Sequence, residues 1–178
     1  PIDGRVGLSL VSTTGSGEGT LPFLHAVLKT RRIWFGNLFI QGGGQLYVTQ
    51  GMLGQRLTRI YPQGEIGFSL FETTIASVAY QGHVQFNTLS GLLQAHPFVA
   101  ATSTIRQSDV PIDILAVVET GWSESLRTRI AARYQSFHDY PLFTEAGRKG
   151  FWTTGYIGTT DLATLEADLF AKFAANSY

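Results

Sequence analysis

IWFGNLFIQGGGQLYVTQGMLGQRLTRIYPQGEIGFSLFETTIASVAYQGHVQFNTL, residues 33–89, is the stretch on which the fold turns. Short aromatic or β-branched runs recur along it: Ile33-Trp34-Phe35, Gln45 to Thr49, Arg59-Ile60-Tyr61, Ile66 to Thr74, Ile75 to Tyr80 and His83 to Phe86. Gly-containing breaks separate them, and four of the breaks carry the pair Gln-Gly, at Gln41-Gly42, Gln50-Gly51, Gln63-Gly64 and Gln81-Gly82. Gly reaches the positive-φ turn conformations that other residues avoid, so strand-formers punctuated this way predict an antiparallel β-meander.

Composition asks what covers that sheet. Charged residues make up 15% of the 178 and aromatics 12%, so much apolar surface must be hidden with little charge to keep it in water. The sheet is either covered on both faces or offers apolar surface to a ligand or partner. Thirteen basic residues balance thirteen acidic ones, which argues against a dedicated nucleic-acid surface. Cys is absent, so disulfides, thiolate metal sites and a Cys nucleophile are excluded. No apolar run approaches the ~20 residues of a helical span, so no transmembrane segment is expected. Pro1 in place of a Met fits a trimmed chain or a mature form whose leader is gone.

Outside the meander, Arg5 to Thr13 alternates Val6, Leu8 and Leu10 with small or polar residues, a half-buried strand. Thr20 can N-cap a helix to about Thr30, with Pro22 in its first turn and Leu21, Leu24 and Leu28 on one face. A helical turn is expected over Thr88 to Ala95, before His96-Pro97. Val110 to Glu119 is an unbroken apolar run, the mark of a central strand. Ser123 to Phe137 reads as a helix with Leu126, Ile130, Tyr134 and Phe137 in one stripe. A last helix starts at the N-cap Thr160 with a face of Leu162, Leu165, Leu169 and Phe173. The expectation is a single α+β domain over 1–178, the meander carrying flanking helices, with closure into a partial barrel as the structural alternative.

Three chemistries compete. The loop Thr14-Gly15-Ser16-Gly17-Glu18-Gly19 between strand and helix is a geometry that can hold a phosphate. Ser12 to Glu18 also resembles the FMN-contacting loops of flavodoxin-like domains, which implies flavin or phosphate binding by Thr14, Gly15, Ser16 and Gly17; beyond those residues the meander departs from that family's parallel sheet. Gly121-Trp122-Ser123-Glu124-Ser125, after a strand and before a helix, resembles the nucleophile elbow of serine hydrolases with Ser125 where the final Gly stands. That resemblance implies Ser123 as nucleophile, with His138 and Asp139 as weak partners whose chain order differs from the α/β-hydrolases. Ser123 serves equally as an N-cap, with Glu124 on the helix dipole.

The four histidines are scattered, so no metal site is expected, and no cofactor. Asp113 and Glu119 share a strand face about 20 Å apart, too far to share an ion. Low charge and aromatic enrichment favour the third reading: a non-enzymatic binding or assembly module that presents a sheet face or groove to a protein or apolar ligand. Its candidate contacts are Trp34, Phe35, Tyr47, Trp152 and Tyr156, and its expected partners are another protein, a second copy, or a small apolar or anionic ligand.

Overall fold

The structure is a computed structural model that describes the backbone of residues 2–13, 19–50, 56–85, 87, 89–99, 107–145, 147 and 149–171. Side chains are described over 24–48, 58–85, 87, 90–99, 107–145, 147 and 149–171. The fold is nearly all antiparallel β, which corrects the α+β expectation. The strands are β1 (Ile2–Thr13), β2 (Gly19–Thr30), β3 (Ile33–Phe35), β4 (Leu38–Gln50), β5 (Arg56–Phe71), β6 (Thr74–Gln81), β7 (His83–Gln85), β8 (Ser108–Ser123), β9 (Leu126–Glu145) and β10 (Trp152–Ala171). Among the described residues one short helix, α1 (Leu89–Ala95), stands where the helical turn was expected.

The three flanking helices are strands: β2 covers the first, β9 the second and β10 the third. The misreading has a simple cause. Leu24 and Leu28, or Leu126, Ile130 and Tyr134, are spaced by four, and four is both about one helical turn and two strand repeats. Hydrogen bonding to long neighbours settles which period holds, because β9 pairs with β8 on one side and β10 on the other for most of its length.

The sheet follows the order β1-β2-β4-β5-β6-β8-β9-β10, so chain neighbours are spatial neighbours throughout. β3 continues β2 along β4, and β7 continues β6 along β8, which leaves eight strands running from one end of the sheet to the other. The two ends differ. At one, the turns are two residues long: Gly36-Asn37, Glu72-Thr73 and Glu124-Ser125, with Gly36 at φ 62°. At the other, residues 14–18, 51–55, 86–107 and 146–151 make the connections.

Two glycines let long side chains lie flat on the sheet. A Cβ on Gly67 would stand 2.2 Å from the Phe39 ring, and one on Gly82 would stand 2.5 Å from the Tyr61 ring. Each aromatic thus fills the volume its neighbour strand vacates, and Phe39 is fully buried as a result. Gly82 also marks the break between β6 and β7.

Candidate functional site: a sheet with one apolar and one ion-paired face

The register assigns every strand residue to a face. One set of rows runs through Leu38, Ile40, Leu46 and Val48 on β4, then Ile60, Pro62, Ile66 and Phe68 on β5. It continues through Ala76, Val78 and Tyr80 on β6, then Ile114, Ala116 and Val118 on β8. It ends on Ile130, Ala132 and Tyr134 of β9, and Ala163, Leu165, Ala167 and Leu169 of β10. These outer rows are apolar, and their large side chains are exposed: Ile60 by 75%, Leu165 by 78% and Leu169 by 69%. The outer rows hold the charge of Asp161, which accepts a hydrogen bond from the Tyr134 hydroxyl, and the register also places Arg56, the first residue of β5, in them. A hollow of about 430 Å³ on this face is floored by Ala76, Ala116 and Ala132 and walled by Leu38, Ile66, Phe68, Val118 and Ile130.

The inner rows carry the charge. Lys29, Arg59, Glu65, Asp113, Glu119, Arg127, Arg129, Arg133, Glu166 and Asp168 all alternate with the outer positions. Asp113 is fully buried and accepts from Arg133 Nε at 2.8 Å and Arg133 Nη2 at 2.6 Å. Gln81 Nε2 donates to the same carboxylate at 3.4 Å, and His83 Nδ1 stands 3.6 Å away. The Asp113 bond is the main cause that holds the Arg133 guanidinium above its ordinary pKa. Arg129 lies between columns of acids, 3.0 Å from Asp168, 3.6 Å from Glu119 and 3.7 Å from Glu166.

A second inner group sits nearer the long connections. Gln45 Oε1 accepts from Tyr47 Oη at 2.6 Å and His25 Nε2 at 2.9 Å, and Gln45 Nε2 donates to the Gly82 carbonyl at 3.3 Å. Tyr61 Oη donates to Asp109 Oδ1, and Arg59 Nε stands 3.5 Å from the other oxygen of that carboxylate. Burial first, then the Asp109 bond, pushes the Tyr61 phenol well above the usual range. These polar atoms are satisfied by one another, which is how buried polar groups escape the cost of leaving water.

Burial pushes the His83 imidazole below its ordinary value of 6.5, with Asp113 pulling the other way. A depressed pKa means that the folded chain refuses a proton which the unfolded chain accepts below about pH 6.5, so this contribution is complete above that pH and lost as pH falls. The denaturation midpoint is expected to drop from about pH 7.5 to about pH 5.5, and His83→Gln to flatten that part of the profile. An unchanged slope in the variant would assign the pH dependence to other groups.

The residues singled out from the sequence scatter. Ser123 closes β8, accepts a hydrogen bond from the Ser125 N–H at 3.2 Å and lines a cavity of about 830 Å³ with Ile75, Glu119, Arg127 and Phe170. His138 and Asp139 lie toward the opposite end of β9. Ser123 pairs with Leu126, twelve residues before His138, a separation of about 40 Å on an extended strand. No helix follows Ser123, so the elbow geometry is absent there. Thr14, Gly15, Ser16 and Gly17 lie outside the described residues, and β2 rather than a helix follows them.

Trp34 is half exposed beside Phe39, their ring centres 4.9 Å apart. Trp152 packs at 4.6 Å from His96 and donates its backbone N–H to Phe98 at 3.2 Å, and half-buried Tyr156 pairs with Pro141 on β9. The structure therefore does not gather the candidate aromatics into one contact surface. What sequence reasoning missed is the inner network around Asp113, Arg133 and His83. Its signal was the alternation Arg127, Arg129, Ala131, Arg133, Gln135 with Thr128, Ile130, Ala132 and Tyr134 between.

Among the described residues no helix is long and apolar enough to cross a membrane, a statement that does not extend to strands. Comparison with family models, with curated proteins and with solved structures finds no match.

Proposed function

We propose that this sheet is embedded in a lipid bilayer, its outer rows against hydrocarbon and its inner rows around a polar interior. The reading narrows the apolar-ligand class expected from composition to one ligand, the acyl chains of a membrane, and makes the module a non-enzymatic anchor. The segregation of charge carries it. A sheet in water puts its polar face outward and its apolar face on a core, whereas here one face holds the ion pairs, with Asp113 fully buried among them, and the other presents exposed aliphatic side chains.

Dimensions agree. Ile60 to Leu70 is ten residue steps, about 33 Å of strand, which at a tilt of about 40° spans some 25 Å of bilayer normal. Phe35, Phe71 and Trp122 stand exposed at the short-turn end, where aromatic side chains sit at a membrane interface. Tyr80 and Tyr134 occupy the outer face nearer the other end, each with its hydroxyl engaged, Tyr80 by the Pro111 carbonyl at 3.1 Å. Two-residue turns at one end and longer connections at the other is the asymmetry of membrane-spanning barrels. Strands rather than helices would do the crossing, so the expectation of no transmembrane segment holds for helices alone.

The absence of Cys makes the test clean. Single cysteines placed from Ile60 to Leu70 in the full chain, spin-labelled in lipid vesicles, are expected to alternate. Ile60, Pro62, Ile66, Phe68 and Leu70 should collide with oxygen, and Tyr61, Gln63, Glu65 and Ser69 should not. Exposure of the even-numbered positions to a water-soluble nickel complex would overturn the reading and favour a protein partner in water.

A further inference from the structure

Among the described residues β1 pairs on one side only, and so does the 162–171 stretch of β10, whereas Trp152 at the start of β10 also bridges Val99. In water such edges are tolerable. In hydrocarbon they are not, because no solvent hydrogen-bonds the free N–H and C=O groups. The further inference rests on the bilayer reading and asks what covers these edges.

We infer that β1 and β10 pair with each other, closing the sheet into an eight-stranded barrel staggered by about ten residues. Direction comes first. β1 starts at the short-turn end and β10 finishes there, so side by side they are antiparallel, as the ladder of a meander requires.

Register comes next. The row through Gly4 crosses Leu28, Gly44 and Pro62. Continued past Gln63↔Gln81 and Tyr80↔Ile114 it reaches Ile112, Ser136 and finally Asp161. Closure requires β10 to meet β1 displaced from that row, because strands in a barrel tilt. Sliding β10 by ten residues sets Ala171 opposite Gly4 and lays 162–171 against 4–13, with outer rows still meeting outer rows. Sliding it equally far the other way leaves almost no overlap.

The tilt expected of a closed barrel fixes the stagger. A stagger of ten residues is about 33 Å, and eight strands at about 4.8 Å make a circuit of about 38 Å, which gives a tilt of about 40°. Closed barrels tilt by about 35–45°, and eight strands leave an interior just wide enough for side chains to fill. The inner rows supply such a filling, with Phe39, Tyr47, Tyr61, Asp113 and Gln135 already buried.

Oxidation of paired cysteines in the full chain, reconstituted in vesicles, tests the closure. Gly4→Cys with Ala171→Cys, and Leu8→Cys with Ala167→Cys, are expected to convert almost completely to an internally linked monomer, since paired positions fall within disulfide reach. Gly4→Cys with Asp161→Cys, the unstaggered pair, is expected to stay reduced. Disulfide-linked dimers would overturn the inference in favour of a second copy at the edge. Failure of both staggered pairs in protease-resistant, vesicle-bound protein would overturn it in favour of other strands there. Internal linkage in protein that never binds vesicles would leave the closure standing and sink the bilayer reading.

Discussion

Ile66→Arg is expected to destabilise the folded chain in lipid vesicles by about 2–4 kcal/mol, the cost of an Arg facing hydrocarbon near the midplane of a barrel wall. Ile66 occupies the centre of the outer rows, between Ile40 on β4 and Val78 on β6, with about half its surface open. Phe71→Arg, at the short-turn end of the same strand, is expected to cost only about 0–1 kcal/mol, because the penalty falls toward the interface. Reversible urea unfolding in vesicles, followed by Trp fluorescence, reads both. In water the same two exposed positions would each tolerate Arg within about 0.5 kcal/mol. Equal small effects at both would therefore reject the membrane reading, and the gradient between them is its signature.

Arg133→Met is the second large effect, expected to cost about 3–5 kcal/mol by denaturant titration, since it strands the carboxylate of Asp113 without its cation. Asp113 is the most buried charge described, and Gln81 and His83 offer it only a long hydrogen bond and a neutral neighbour. Adding Asp113→Leu to Arg133→Met is expected to recover most of the loss, because a matched apolar pair carries no desolvation cost. A double variant no better than the single would mean that the Asp113 cluster organises the inner face beyond its own ion pair. That outcome would show as a coupling energy equal and opposite to the cost of Asp113→Leu alone.

The meander between 33 and 89 was legible as strands, and of its four Gln-Gly breaks two fall at strand ends and two do not. Gln41-Gly42 and Gln63-Gly64 lie inside β4 and β5, and Gln81-Gly82 sits where β6 kinks into β7. The pair recurs for another reason: Gln41, Gln63 and Gln81 belong to the inner rows, and Gly42 and Gly64 to the outer ones. A dipeptide that alternates polar and small reads as a break only if every Gly is taken for a turn. β10 misled in the opposite sense. Its outer row, Ala163, Leu165, Ala167 and Leu169, with Leu162 and Glu166 of the inner row, uses good helix formers whose weak intrinsic preference the neighbouring strand overrides.

The inner network was out of reach because its partners come from different strands. Asp113 on β8, Arg133 on β9 and His83 on β7 meet through register, and register is set by the whole sheet. The charge balance of the chain nonetheless contained a trace of it. Thirteen acids against thirteen bases is what a face of mutual ion pairs leaves behind.

Alternation along β5 imposes an arithmetic on its gene. Loss of a single codon near Gly64 would turn every later side chain over, bringing Phe68 and Leu70 among the carboxylates and guanidinium groups and pushing Ser69 out among the aliphatic rows. Loss of two adjacent codons restores the parity and shortens the strand by about 7 Å. Length variation within these strands should therefore come in even steps, while the connections at 51–55 and 146–151 accept odd ones as readily as even.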